Sequence, residues 1–364
     1  LQHHPWDPTG RVDLVEPRSL QVYGIGFALL SLLWIAARMG LRRNAVAGRL
    51  LNPGWPTVDR IVVHAVVVLQ LLLLALHLLP GCLRELVSSP RGPVAVFPSE
   101  TFGPTAWMLL GLLAAAMMAA LWQRWREDEM ASSLMLLATV PCLIAARFAG
   151  QEATASALRW GLAAAMVVGS TAIWQRRRLR YWCRRIGAVI DVGRRGPAIG
   201  RATVLATTAG PIVLLTAAAS MIQISGTSPG GPAWNSFFFR MGPELSYLVP
   251  LAAVMGCLVA FALREASAGY AFSAGLVAKM TVALGYLLMV VTAGDAIGTN
   301  EVVTVIQLLA ITAGAWAIAW TFGRRWTTAW AETPKPGIAQ TLMSLQLGIG
   351  SLFGALVWSP AVLA

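Results

Sequence analysis

Residues 270–294 read YAFSAGLVAKMTVALGYLLMVVTAG, and Lys279, near the middle, is the only charged side chain in the stretch. A helix rises about 1.5 Å per residue, so about 20 apolar residues cross the hydrocarbon core of a bilayer. The stretch therefore reads as a membrane-spanning helix. Similar runs recur near 19–37, 59–80, 105–122, 130–148, 154–174, 201–224, 244–263, 301–322 and 338–361. With the eighth at 270–293, the expected fold is all-α, a polytopic membrane bundle of about ten helices.

Composition agrees. The 364 residues are 57% hydrophobic and 12% charged, with a mean hydropathy of +0.66. Soluble domains carry about 25% charged residues, so a water-soluble enzyme and a disordered chain are both excluded. The four cysteines, Cys82, Cys142, Cys183 and Cys257, are scattered with no CxxC pair. They form neither a zinc motif nor a disulfide framework.

The net charge of +12 comes almost wholly from arginine. On so apolar a chain, this excess reads first as the positive charge that fixes membrane orientation. Ten spans place 20 of the 28 bases on one side, with the densest group at Arg176–Arg195. Arg11, Arg18, Arg84, Arg91, Arg147, Arg159 and Arg240 fall on the other side, and Lys279 remains inside a span. The even count puts both termini outside, in a bacterial-type plasma membrane. A polar tail at 1–18, a five-helix half at 19–174, a basic cytoplasmic loop at 175–200 and a second half at 201–364 follow. Five helices per half would invert the second half relative to the first, the geometry of many transporters. The loop lengths of the halves do not match, and no motif is shared. The chain begins at Leu1, which leaves open that it is a piece of a longer polypeptide.

The basic loop, QRRRLRYWCRRIGAVIDVGRRGPAIG at 175–200, interleaves eight arginines with Trp182 and Ile186. Anionic lipid at Arg176–Arg195 is the expected partner, and nucleic acid is not. Other membrane subunits are possible partners. The opposite-side loop at 225–243 is rich in Gly, Pro and aromatics, which fits turns and an interfacial belt.

Lys279 is the leading candidate for chemistry. A charge at a span centre costs about 2.5–3.5 kcal/mol on insertion scales, so it should face the bundle rather than lipid. Gly275, Ala283 and Tyr286 return to the same face at i−4, i+4 and i+7. The functional reading is an ion or substrate site at Lys279 and Tyr286; the plainer one is a lysine that snorkels or meets a backbone carbonyl. Asp295 and Glu301 bracket a short loop that could attract a cation, although solvated loop carboxylates are common. Glu244, after Pro243, reads as a helix-start residue. Pro141, Pro211 and Pro250 each remove a backbone donor inside a span.

His64 and His77 share the second span but point to nearly opposite sides of a straight helix, and no other span carries a histidine, which argues against a haem there. His3 and His4 are adjacent in the tail without further ligands. No cofactor or metal is expected. Phosphate loops, GxSxG elbows, HExxH helices and kinase signatures are absent, which argues against an enzyme. The expected function is a secondary transporter or permease with a central polar site near Lys279. The alternative is a non-catalytic membrane subunit or anchoring domain of a larger complex.

Overall fold

The computed structural model describes residues 17–41, 46, 66–67, 69–70, 104–120, 125–126, 154–185, 190–191, 196–225, 237–265 and 267–328, with 341, 344–345, 348–350, 352 and 355. The helices among them are α1 (Pro17–Leu41), α2 (Pro104–Ala120), α3 (Thr154–Trp174), α4 (Arg176–Arg185) and α5 (Gly196–Val204). They continue with α6 (Gly210–Ser225), α7 (Pro243–Glu265), α8 (Ala268–Thr292) and α9 (Thr299–Thr328). A single helical turn, Phe237–Arg240, precedes α7. The only extended pairing among the described residues is two residues long, Trp125–Arg126 alongside Ile190–Asp191. The fold is all-helical.

Among the described residues, six helices are long and apolar enough to cross a membrane: Ser19–Gly40, Ser156–Trp174, Gly200–Met221, Leu245–Glu265, Ala268–Thr292 and Thr299–Gly323. A seventh apolar helix, Pro104–Ala119, is shorter. The expected spans 59–80, 130–148 and 338–361 lie largely outside the described residues, as do the tail before Pro17, Pro141 and all four histidines. Six membrane-capable helices among the described residues support a membrane protein, and they do not establish the expected count of ten.

Within the basic segment 175–200, Arg176–Arg185 is helical and a further helix begins at Gly196. The carbonyl of Gln175 accepts from the Arg178 and Leu179 amides at 2.8 and 3.0 Å, starting α4 directly where α3 ends. Arginine is a good helix former, so charge density alone does not break the helix.

The chain divides into two compact units, residues 1–148 with 168–208 and residues 149–167 with 209–364. In the first, α1 packs on α2. The residues α1 buries are Gln21, Gly24, Ala28, Ser31, Ile35 and Arg38. Their alternating spacing of three and four is the seam of a left-handed helix pair. Most are small or polar because lipid takes the large apolar side chains: Leu29, Leu30 and Leu33 are exposed on the same helix. Thr105 of α2 donates to the Gln21 side-chain carbonyl.

In the second unit, α7 and α8 form an antiparallel pair, and each also packs on α6 and α9. Only residues 266 and 267 separate the two helices. Gly285 lies against Leu248, where a Cβ would come within 3.1 Å of Leu248 Cδ1, and the Phe261 and Tyr270 rings pack at 5.6 Å between centroids. These two contacts fix the register. At the far end of α8, Gly294 takes φ +86°. The Asp295 amide donates to the Val290 carbonyl and the Gly294 amide to Val291, a Schellman stop that suits glycine's freedom at positive φ. The Trp316 indole of α9 donates to the Ala271 carbonyl at 3.0 Å, tying α9 to the start of α8.

The tight α1–α2 seam is testable. A Cβ at Gly24 would stand 3.0 Å from Leu109 Cδ2 and closer still to the Gln70 side chain, whereas one at Gly26 meets nothing within 4 Å. Gly24→Val is expected to destabilise the protein by about 1–3 kcal/mol through overpacking, and Gly26→Val to leave it near wild type. Chemical unfolding of both variants in detergent micelles measures the difference.

Candidate functional site

Lys279 lies eleven residues into the 25-residue α8 and is 5% exposed. From the α7–α8 register it sits level with Ala252–Val254, about 16 Å from either end of the pair at standard rise. Small neighbours make the room: Gly275 and Ala278 are buried within about 100° of it around α8. The Nζ has no hydrogen-bond partner among the described residues. A lysine at this depth with no fixed acceptor among the described residues is costly to bury.

Three hydroxyls of the same unit share that condition. Thr216 and Ser220 on α6 and Ser246 on α7 are fully buried and have no partner among the described residues. Thr216 and Ser220, four apart, continue the face that begins at Ile212, and α6 packs on both α7 and α8. Threonines elsewhere in this unit return their hydroxyls to the carbonyl four residues back, as Thr281 does to Val277 at 2.8 Å and Thr312 to Leu308 at 2.6 Å. That local bond satisfies a hydroxyl in lipid. Thr216 does not make it, so three mutually packed helices carry polar groups with unused hydrogen-bonding capacity.

A second polar level lies nearer the start of α7. Arg159, 1% exposed, stacks its guanidinium over the Tyr247 ring at 4.3 Å and donates from Nη2 to the Ser156 hydroxyl at 2.9 Å. Ser156, Ser246 and Tyr247 are buried with it. This level is about 10 Å from that of Lys279, or seven residues of α7. Sequence reasoning assigned Arg159 to a flanking surface, yet the structure sets it inside the unit. Its position within an apolar run, three residues after Ser156, was the available signal.

The other expected site residues separate. Tyr286 is half-buried on the Lys279 side of α8. Asp295 is exposed beyond the end of that helix, about 24 Å along the chain axis from Lys279. Glu301 is occupied: its Oε2 accepts from the Gly298 amide at 2.7 Å, the reach-back contact of a helix capping box at the start of α9. The structure therefore does not join these carboxylates to Lys279. Glu244 is the second residue of α7, and its side chain is outside the described residues. No buried Asp or Glu occurs among the described residues, so the buried charges there are Arg38, Arg159 and Lys279.

Two of the helix prolines lie beside this region. Pro250 stands inside α7, where it cannot donate to the Ser246 carbonyl. Pro211 follows a π-helical turn, Leu205–Ala209. A proline ring clashes with the carbonyl four residues back, here that of Thr207, and a wider turn relieves the clash. No known protein family, curated protein or solved structure matches this chain.

Tyr247→Leu removes the ring under Arg159 and is expected to destabilise the protein by about 2 kcal/mol or more, the size of a desolvated cation–π contact. Tyr247→Trp keeps an aromatic face and should lose less. Thermal unfolding in detergent distinguishes the two.

Proposed function

We propose that this multi-pass membrane protein is a secondary transporter or permease whose substrate path passes Lys279 between α6, α7 and α8. The observation that carries the reading is the Lys279 ammonium itself: mid-span, buried, and without an acceptor among the described residues. The Arg159–Tyr247 level and the hydroxyls of Thr216, Ser220 and Ser246 supply further polar groups along the same helices. Because the buried described charges are all cationic, the substrate class is an anion or a molecule presenting acidic oxygens. Pro250 adds a freed backbone carbonyl to α7, and interrupted helices are where transporters expose backbone to their cargo. Arginine partition supports a bacterial inner membrane with both termini outside.

The test is solid-supported-membrane electrophysiology on proteoliposomes holding the full chain, challenged with a panel of small inorganic and carboxylate anions. At least one anion is expected to give a transport current, and Lys279→Gln should lower it about tenfold or more while the variant still purifies as a folded protein. Absence of current for the whole panel, or equal currents in wild type and Lys279→Gln, would defeat the reading in favour of a non-catalytic membrane subunit.

A further inference from the structure

Helix α4 differs in kind from its neighbours. The membrane-capable helices are predominantly apolar and show little separation into polar and apolar faces, whereas α4, RRRLRYWCRR, is sharply two-faced and has no buried residue. At 3.6 residues per turn, Leu179, Trp182 and Cys183 share an arc of about 100°. Arg178 and Arg185 edge that arc on one side, and Arg176 and Arg180 on the other. Leu179 and Trp182 are 45% and 59% exposed and Cys183 is partly exposed, so no described residue covers the two larger side chains. Two of the arginines make contacts along the helix itself. The Arg185 guanidinium lies over both the Tyr181 and Trp182 rings, at 5.6 and 5.7 Å, and Arg180 Nε donates to the Arg176 carbonyl.

We infer that α4 lies in the headgroup region of its own membrane, with the Leu179–Trp182–Cys183 stripe turned into the acyl boundary and its arginines holding anionic lipid phosphates. Three observations identify this occupant. α4 carries six arginines and no acid in ten residues, so its partner is an anionic surface. It begins one residue after a membrane-capable helix ends at Trp174, which holds it at the bilayer surface. Its cations flank the apolar stripe on both sides, the arrangement in which arginine stems lie along lipid while the guanidiniums reach phosphates. A nucleic acid would pair with the arginines and leave Leu179 and Trp182 facing water. The break at Gln175 is the point at which the chain can turn from spanning the bilayer to lying in its plane.

The experiment uses the full chain with Cys82, Cys142 and Cys257 changed to Ser and an environment-sensitive nitrobenzoxadiazole label on Cys183, in nanodiscs with or without phosphatidylglycerol. Emission is expected to shift to the blue when phosphatidylglycerol is present, and to be quenched by lipids brominated on their acyl chains. Replacing the flanking arginines, as Arg178→Gln with Arg185→Gln or Arg176→Gln with Arg180→Gln, should weaken the phosphatidylglycerol dependence by up to about fivefold per arginine. Leu179→Ser with Trp182→Ser should abolish the shift. Three results would overturn the inference: water-like emission in every disc, a blue shift that brominated lipid does not quench, or a shift produced only by added single-stranded RNA.

Discussion

Within a bilayer there is no water to take up an unpaired amide or carbonyl, and this single constraint explains most of what the chain does. Backbone groups are satisfied within each segment, so every membrane-capable segment among the described residues is helical. Side chains follow the same rule. Threonines on α8 and α9 return their hydroxyls to their own helices, and Trp316 finds the Ala271 carbonyl. Against that background, a buried polar group with no partner among the described residues stands out. Lys279, Thr216, Ser220 and Ser246 are such groups, and they sit on three helices that pack against one another.

Lipid as solvent also explains which parts of the fold were legible in the sequence. Spans could be read from hydropathy because crossing a bilayer requires a long apolar run, and α8 and α9 fall within a few residues of expectation. The inward faces could not be read that way, since large apolar side chains turn outward as readily as inward. On α1 the buried seam is marked instead by Gln21, Gly24, Ala28 and Ser31, the less apolar members of the helix. Reading small and polar residues at three–four spacing would have found it.

The same logic accounts for the site residues. Lys279 was visible because a lone charge in a long apolar run has few explanations. Arg159 was missed because it lies only a turn and a half inside its helix, where an arginine ordinarily snorkels to the surface; its burial follows from the Tyr247 ring on another helix, which no local pattern reveals. Asp295 and Glu301 attracted notice as carboxylates, and the structure shows the backbone of one closing α8 while the side chain of the other caps α9. The helical nature of Arg176–Arg185 was present in the spacing of Leu179, Trp182 and Cys183, but charge density concealed it.

What distinguishes a working Lys279 from a structural one is the sign of its contribution to stability. A buried ammonium held by a fixed counter-group is lost at a cost of about 3–5 kcal/mol, because the partner is left alone. An ammonium kept for a substrate is a burden on the resting protein, and an apolar side chain of similar length relieves it. Unfolding of the full chain carrying Lys279→Met, measured in detergent without added anions, reads that sign directly. A rise of about 1–3 kcal/mol in stability is the expected result. A fall of several kcal/mol would mean that the lysine serves the fold, and the path past it would have to be abandoned.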